Sequence, residues 1–216
     1  CVSKSGAKYL KEKYPAYQDK VQYSYLGTED QGMSPVPKGD KIRIVSCSNM
    51  IALKRVELII EILKLIKLDI EWVHFGDGIL LEDIKEKAKE LPDNIESVFM
   101  GSKTNREVLS YYQSTEIDLF MNLSETEGLP VSIMEAISFG IPIIATNVGG
   151  TSEIVNESIG WLVEEGFDPC KVSEIFLAQQ HKFRDSLFRK EIRDFWNENF
   201  NAKNNYKYFC EELKKI

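Results

Sequence analysis

The sequence predicts an α/β protein built on a doubly wound, Rossmann-like parallel sheet with a helical C-terminal tail. Short apolar stretches alternate with segments of helical spacing from residue 42 to residue 163. Such alternation favours right-handed βαβ units, in which helices cover both faces of a parallel sheet. The chain has 216 residues, 43% of them hydrophobic, which is enough for a substantial core without metal ions or disulfides.

The N-terminal segment is too small to form a domain. It begins with a predicted short helix over Gly6–Lys11, and the alternating stretch Val21–Tyr25 predicts a strand. Gly27–Lys41 follows, and its glycines and prolines make it the best candidate for a linker.

Six strands are predicted from apolar runs that end at glycine, polar or turn residues. They are Ile42–Cys47, Ile70–Phe75, Ile95–Met100, Ile117–Leu123, Ile141–Ala145 and Trp161–Val163. A parallel arrangement places the carboxyl ends of these strands along one edge of the sheet.

Helices are predicted between the strands from apolar residues at helical spacing. They are Lys54–Ile66, Leu80–Leu91, Thr104 to about Gln113 with a Thr104–Glu107 capping box, Ser132–Phe139, a short helix from Gly149 to Val155, and long amphipathic helices from Asp168 to Ile216. In these last helices the aromatic residues Trp196, Phe200, Tyr206 and Phe209 are expected to be exposed, at a surface that meets another domain.

Charge and composition exclude several classes of function. The 27 basic and 34 acidic residues give a net charge of −7, whereas a nucleic-acid surface usually needs a basic patch, so no nucleic-acid partner is predicted. No apolar run is long enough for a transmembrane helix. Four scattered cysteines and two histidines predict reduced thiols in the cytoplasm and no metal site.

The chain opens on Cys1 rather than Met, so an excerpt of a longer protein is expected.

A ligand is expected at the carboxyl ends of the strands, where the strand order reverses. In the common order 3-2-1-4-5-6, this point lies between the first and fourth strands. The loop after the first strand ends in Lys54 and Arg55, and the loop after the fourth strand is Ser124–Pro130. The order therefore predicts that a pair of cations faces an acidic loop across one crevice.

The charges at this crevice suit a nucleoside diphosphate that carries a sugar. Lys54 and Arg55 are predicted to open a helix, whose N-terminus favours an anion. Glu127 and Glu135 would repel phosphate and are expected to face vicinal hydroxyls. Other interpretations stay open: Glu135 can complete a capping box with Ser132, and the two cations can form a solvated helix start.

Two further features can be explained by structural roles alone. His74 lies within an apolar strand and is interpreted as a core residue rather than a ligand. Gly128 and Pro130 can serve only the turn in which they lie.

Residues 127–135 read Glu-Gly-Leu-Pro-Val-Ser-Ile-Met-Glu, with two glutamates separated by seven residues. This pattern resembles the E-x7-E region of the retaining glycosyltransferases of family 4, or group 1, which have the GT-B fold. Further segments resemble the same family in order and spacing over roughly residues 40–165. They are Val45–Ser48 with Lys54, Phe75–Gly78, Phe99–Gly101, Asp118–Met121 and Gly149–Glu153.

The resemblance implies the C-terminal, donor-binding half of a GT-B fold. Residues 1–40 would be the end of an N-terminal acceptor domain and a linker, residues 41–180 a nucleotide-sugar-binding domain, and residues 181–216 helices that return toward the N-terminal domain. The implied reaction is transfer of a sugar, with retention, from a nucleoside diphosphate sugar to a glycan or lipid-linked acceptor. Surface polysaccharide synthesis in the cytoplasm, with peripheral association at the inner face of the membrane, is the implied setting.

The resemblance also implies catalytic roles, carried over by position. Lys54 would bind the donor diphosphate, Glu127 would contact the transferred sugar near the reacting centre, and Glu135 would hold the ribose hydroxyls. Whether Glu127 is a nucleophile or a stabiliser stays open. No metal and no cofactor are implied, because the nucleoside diphosphate sugar is a substrate.

The remaining implied contacts come mainly from the main chain. The N–H groups of Leu129 and Val131, beside Gly128, would touch the sugar or the distal phosphate. The main chain at Met100 and Gly101 would meet the base.

One position departs from the family pattern. The family commonly has an arginine where this chain has Ser48. Two outcomes stay open: Arg55, Lys103 or an ion bound with the substrate supplies the missing charge, or the affinity for phosphate is lower.

Three other classes of protein are competing interpretations. A nicotinamide-dependent dehydrogenase is disfavoured, since the loop after the first strand has no glycine. A GT-B-like nucleotide-sugar epimerase and a non-catalytic binding module stay open as alternatives.

Overall fold

A computed structural model describes residues 1–214 and places six parallel strands in one sheet. The strands are β1 (Ile42–Cys47), β2 (Ile70–Phe75), β3 (Ile95–Phe99), β4 (Leu119–Asn122), β5 (Ile143–Thr146) and β6 (Gly160–Val163). Their spatial order is β3-β2-β1-β4-β5-β6, and every pairing is parallel. The reversal between β1 and β4 is the one that the sequence predicted.

Helices cover both faces of this sheet. The helices described are α1 (Lys4–Lys13), α2 (Glu57–Leu63), α3 (Leu81–Ala88), α4 (Asn105–Ser114), α5 (Val131–Ser138), α6 (Pro169–Phe183), α7 (Ser186–Asn199) and α8 (Ala202–Leu213). One apolar core joins the sheet to α4, α5 and α7, and a second joins it to α2, α3 and α6. Because both faces are buried, the strands read as nearly continuous apolar runs. The predicted extension of the last helix to Ile216 lies outside the described residues.

Most predicted elements differ from the structure by no more than three residues at either end, and three differ in kind or in where they begin. Val21–Tyr25 forms no strand: it pairs with none of the six strands, and the Ser24 N–H donates instead to the carbonyl of Cys1, just before α1. The predicted helix from Lys54 begins only at Glu57, after a short 3-10 turn over Ala52–Lys54. The predicted short helix from Gly149 is a 3-10 turn over Thr151–Glu153.

The predicted linker, Gly27–Lys41, is irregular but packed. Thr28 exchanges backbone hydrogen bonds with the chain around α8, donating to the carbonyl of Phe200 and accepting from the N–H of Ala202. The buried Ser34 donates its N–H to the carbonyl of Phe139, and its hydroxyl accepts from the buried Arg189 guanidinium. These bonds hold the segment against the helices at Thr28 and at Ser34.

The aromatic residues of the last two helices divide into two groups. Trp196 and Phe200 are completely buried, so their predicted exposure is wrong. Their burial arises because α7 packs on α5 and Trp196 donates its Nε1–H to the hydroxyl of Thr28 at 2.7 Å. Tyr206 and Phe209 on α8 are exposed as predicted.

Candidate functional site

The loops after β1 and β4 meet at the carboxyl edge of the sheet. The Glu125 N–H donates to the carbonyl of Leu53 at 2.8 Å, which fixes one backbone against the other. The Lys54 ammonium then donates to Oε1 of Glu127 at 2.7 Å. Strand order brings these side chains together, since β1 and β4 are neighbours in space although β2 and β3 intervene in sequence.

Asn122, the last residue of β4, orients the acidic partner of this pair. Its Nδ2 donates to Oε1 of Glu127 at 3.2 Å, and its Oδ1 accepts the N–H of Ser124 at 3.1 Å. The Glu127 side chain is 10% exposed and that of Lys54 is 24% exposed. The ion pair is thus partly desolvated but open on one side to an incoming ligand.

Arg55 has a different role from the one predicted. It adopts a left-handed conformation, with φ of 45°, which ends the 3-10 turn instead of opening a helix. Its guanidinium donates to the carbonyls of Leu123 and Ser124 after β4 and to that of Glu165, at 2.8–3.2 Å. It also stacks over Phe167. Its donors are therefore committed to loop carbonyls, and Arg55 is not a free cation for a phosphate.

Glu135 is not a helix cap. Helix α5 begins at Val131 after Pro130 and has no side-chain cap, so Ser132 lies inside the first turn. The carboxylate of Glu135 instead accepts from Nδ2 of Asn105, the first residue of α4, at 2.6 Å. Burial raises the pKa of Glu135, and the hydrogen bond from Asn105 only partly opposes this effect. The capping-box interpretation is therefore wrong.

A thiol lies beside this carboxylate. Cys47, the last residue of β1, has its pKa raised to about 11, first by burial and then by the negative charge of Glu135. A thiol in this state stays protonated at neutral pH, so Cys47 supplies a neutral wall to the crevice.

The loop after β5 holds the loop that contains Glu127. The Gly150 N–H donates to the carbonyl of Gly128 at 2.8 Å. A Cβ on Gly149, whose φ is 52°, would lie 1.8 Å from the carbonyl oxygen of Glu127. Both glycines are thus required by the close approach of two backbones.

Gly128 itself is in a different situation. A Cβ built there would meet no atom within 4 Å, and its φ is not positive. The side chain of Leu129 is buried, whereas Val131 is 42% exposed. As the first residue of α5, Val131 has an N–H without an intrahelical acceptor. The fold therefore leaves the face beside Gly128 open.

The loops after β1, β2 and β3 are also joined to one another. The Gly76 N–H donates to the carbonyl of Gly101 at 3.0 Å, and the Met100 N–H donates to the carbonyl of His74 at 2.9 Å. Ring atom Nε2 of His74 lies 3.0 Å from the carbonyl of Ser48. Met100 and Gly101 thus follow β3 on the same edge as Ser48.

His74 is a core residue, as interpreted from its apolar strand. The Trp72 Nε1–H donates to the hydroxyl of Ser46, and that hydroxyl lies 2.8 Å from Nδ1 of His74. Since Nε2 must donate to the Ser48 carbonyl, the neutral tautomer has its proton on Nε2. Burial lowers the pKa of His74 to about 4.

Two site residues were missed from the sequence, Asn122 and Asn105. Asn122 is a polar residue at the carboxyl end of a buried strand, and that position alone could have marked it. Asn105 gave no comparable signal, because its contact with Glu135 depends on how α4 packs against α5.

Among residues 1–214, no group of three or more His, Cys, Asp or Glu side chains is arranged to hold a metal ion. None of the helices described there combines the length and apolar content needed to cross a bilayer.

The fold and its charged crevice at a reversal of strand order define a ligand-binding domain of the doubly wound α/β class. A family model described as "Glycosyl transferases group 1" matches residues 29–177. The chain belongs to this family.

Curated relatives support the same membership. The chain is 36% identical over 116 residues to the O-antigen biosynthesis glycosyltransferase WbnH of Escherichia coli, covering 53% of this chain and 31% of that protein. It is 28% identical over 135 residues to the amylovoran biosynthesis glycosyltransferase AmsK of Erwinia amylovora, covering 58% of this chain and 33% of that protein. The chain therefore spans about a third of the length of these relatives.

Solved structures share the fold. HepE of Anabaena, in a complex with UDP, matches the whole chain with a TM-score of 0.82 at 15% identity, over 63% of its own length. The lipopolysaccharide outer core galactosyltransferase WaaB matches the whole chain with a TM-score of 0.78 at 17% identity, over 61% of its length. The predicted GT-B-type architecture, a Rossmann-like parallel sheet with a helical C-terminal region, is confirmed.

Proposed function

We propose that this chain is the donor-binding part of a retaining glycosyltransferase of family 4. It binds a nucleoside diphosphate sugar, whose sugar is transferred to a glycan or lipid-linked acceptor in surface polysaccharide synthesis. The names of WbnH and AmsK support the setting, and the UDP bound to HepE supports the donor class. The observation that carries the proposal is the pairing of Lys54 with Glu127 at the point where the strand order reverses.

Lys54 provides the electrostatic part of the reaction. When the glycosidic bond to the donor breaks, negative charge grows on the leaving diphosphate, and a fixed ammonium stabilises that charge. In the structure, this ammonium donates to Glu127 at the mouth of the crevice. The diphosphate then competes with Glu127 for Lys54, which leaves the carboxylate able to accept from sugar hydroxyls or to approach the reacting centre.

Glu135 and the loop around Gly128 provide recognition. Glu135 accepts one amide donor from Asn105, and a carboxylate has further lone pairs that can accept from the ribose hydroxyls. The free N–H of Val131 and the open face of Gly128 admit the distal phosphate or the sugar. Main chain at Met100 and Gly101, on the same edge, receives the base, and Ser48 faces the phosphates without supplying a charge.

The domain assignment is part of the proposal. Residues 1–40 end an N-terminal acceptor domain, residues 41–180 bind the nucleotide sugar, and residues 181–216 return toward the acceptor domain. The acceptor binds through that other domain, in the cytoplasm at the inner face of the membrane. No metal or cofactor is required, because the nucleotide sugar is itself consumed.

The phosphate site is tested by calorimetry with UDP and with uridine. Lys54→Ala should weaken UDP binding by about 1.5–3 kcal/mol, the scale of a hydrogen bond to a charged group. It should change uridine binding little. Lys41→Ala is the matched control, because Lys41 also forms a 2.8 Å pair, with Glu96, but at the opposite edge of the sheet. Equal losses for UDP and uridine would show that Lys54 does not meet the diphosphate.

The reaction itself is tested on the full-length protein. With a nucleotide sugar and an acceptor extract, proton NMR of the product should show the anomeric configuration of the donor retained. Inverted product would contradict the assignment to a retaining family. An epimerised donor without transfer would favour an epimerase, and donor binding with no chemistry would favour a binding module.

A further inference from the structure

The carboxylate of Glu153 joins the N-terminal helix to the sheet domain. Its Oε2 accepts the N–H of Lys4 at 2.7 Å and the hydroxyl of Tyr25 at 2.9 Å, while Oε1 accepts the N–H of Ser5 at 2.8 Å. Lys4 and Ser5 are the first two residues of α1. A carboxylate at this end of a helix satisfies N–H groups that lack intrahelical acceptors and complements the helix dipole.

The pKa values of Glu153 and Tyr25 shift in opposite directions. Burial alone would raise the pKa of Glu153, but the hydrogen bonds from Ser5, Lys4 and Tyr25 outweigh it and hold the pKa below the usual range for glutamate. The pKa of Tyr25 is raised, first by burial and then by its hydrogen bond to Glu153.

Helix α1 does not need Glu153 as its own cap. The hydroxyl of Ser3, the N-cap residue, already accepts the N–H of Gly6. The Glu153 bonds are additional, and they reach across 148 and 149 residues of sequence. Their effect is therefore to fix the position of α1 on the sheet domain.

The same glutamate lies one turn away from the crevice. It ends the 3-10 turn that Gly150 begins, and its own N–H donates to the carbonyl of Gly150 at 3.1 Å. The N–H of Gly150 in turn holds the carbonyl of Gly128. A single short turn therefore connects the first residues of α1 with the loop that contains Glu127 and Gly128.

We propose that Glu153 is a positioning residue, which couples the seating of α1 to the loop that receives the distal phosphate and sugar of the donor. With the carboxylate fixed by two N–H groups, the turn holds Gly150 against Gly128. When α1 is not seated, the turn loses this anchor and the loop is less well ordered for its ligand. Because coupling is reciprocal, a bound diphosphate should also tighten α1. This inference rests on the proposed function.

The test uses two variants that break the contact from opposite sides. Glu153→Gln removes one of the two acceptor oxygens with little change in size. Lys4→Pro removes one N–H donor, and proline suits the first helical position after the extended Ser3, whose φ and ψ are −142° and 155°. Lys4→Ala is the matched control, because it removes the same ammonium but keeps the N–H.

Both contact-breaking variants should bind UDP about 5-fold more weakly than wild type, the lower end of a typical coupling between sites. Lys4→Ala should stay close to wild type, and uridine affinity should be unchanged in every variant. The double variant Glu153→Gln, Lys4→Pro should be no weaker than the worse single variant, since both act on one contact. A general loss of stability would instead lower the affinities for UDP and uridine together.

Amide exchange of Gly150, followed by NMR without ligand, gives a second readout. Exchange should be faster in Glu153→Gln and in Lys4→Pro than in wild type or Lys4→Ala. If wild type binds UDP and the two variants bind it equally well, the coupling is overturned while the proposed function stands. If wild type binds no UDP, the proposed function fails, and unchanged exchange at Gly150 would overturn the coupling independently.

Discussion

The ammonium of Lys54 lies 2.7 Å from the carboxylate of Glu127, although 73 residues separate them in sequence. Lys54 ends the short 3-10 turn over Ala52–Lys54, and Glu127 lies in an irregular loop. Each follows the carboxyl end of a central strand, and the pairing of β1 with β4 sets the distance between them. A cation and an anion on opposing loops can therefore exchange partners with a ligand while the sheet stays unchanged.

Glu135→Gln should separate ligand recognition from folding. The amide keeps an oxygen for Asn105 and removes a partly buried charge, so stability should change by less than about 0.5 kcal/mol. UDP affinity, measured by calorimetry, should fall by about 1.5–3 kcal/mol, because charged acceptors strengthen hydrogen bonds from ribose hydroxyls. A UDP analogue without the 2′ and 3′ hydroxyls should bind both forms alike. Equal UDP binding by wild type and variant would refute the ribose assignment.

Gly128→Ala should leave the fold intact and weaken ligand binding. A Cβ at this position meets no atom within 4 Å, so thermal stability should be equal or higher by about 0.4–1 kcal/mol. UDP-glucose should bind more weakly, because the added methyl occupies the face expected to receive sugar and phosphate. Gly166→Ala is the control, since its Cβ is also unobstructed. Unaltered affinity in Gly128→Ala would place the sugar elsewhere.

Arg55→Lys should be destabilising although lysine keeps the positive charge. The guanidinium joins three carbonyls from two loops, and an ammonium cannot reproduce that planar fork. We expect a loss of about 1–3 kcal/mol in urea unfolding. Arg106→Lys, at an exposed position of α4, should be nearly neutral. If Arg55→Lys instead kept full stability and lost only UDP affinity, Arg55 would be a phosphate ligand after all.

His74 should make stability depend on pH in a defined window. Its folded pKa of about 4 lies below the unfolded value of 6.5, so the unfolded chain takes up the proton first. The free energy of unfolding is therefore unaffected by His74 protonation above pH 6.5, and it decreases as the pH falls from 6.5 toward 4. Nitrogen NMR should show a neutral ring with its proton on Nε2 at pH 6. A His74 signal that titrates near pH 6.5 would contradict this assignment.

Much of the fold was predictable because burial on both faces leaves a strong local signal. The run Ile42–Cys47 and the Thr104–Glu107 capping box appear in the structure as predicted. Val21–Tyr25 fails as a strand because alternation records which side chains face inward and says nothing about whether a sheet edge is available. The helix start at Lys54 fails because a left-handed arginine such as Arg55 leaves no sequence signal.

The site was predictable to the level of its loops but not of its contacts. Strand order was sufficient to place Lys54 opposite Glu127, because carboxyl ends of parallel strands share one edge. The commitment of Arg55 to carbonyls, and the contact of Asn105 with Glu135, depend on loop and helix positions to within about an ångström. Hydrogen bonds are that sensitive to distance, and residue spacing does not resolve it.

The crowding at Gly149 and Gly150 bears on how sequence variation among relatives should be read. Every single-base change that replaces a glycine adds a Cβ, and here that atom would lie 1.8 Å or 2.3 Å from a carbonyl oxygen of the opposing loop. Selection for folding alone would therefore keep glycine at both positions, whatever sugar an enzyme uses. At Gly128 a Cβ would cause no clash within the protein. An invariant glycine at that position in an alignment would therefore indicate a requirement of substrate binding.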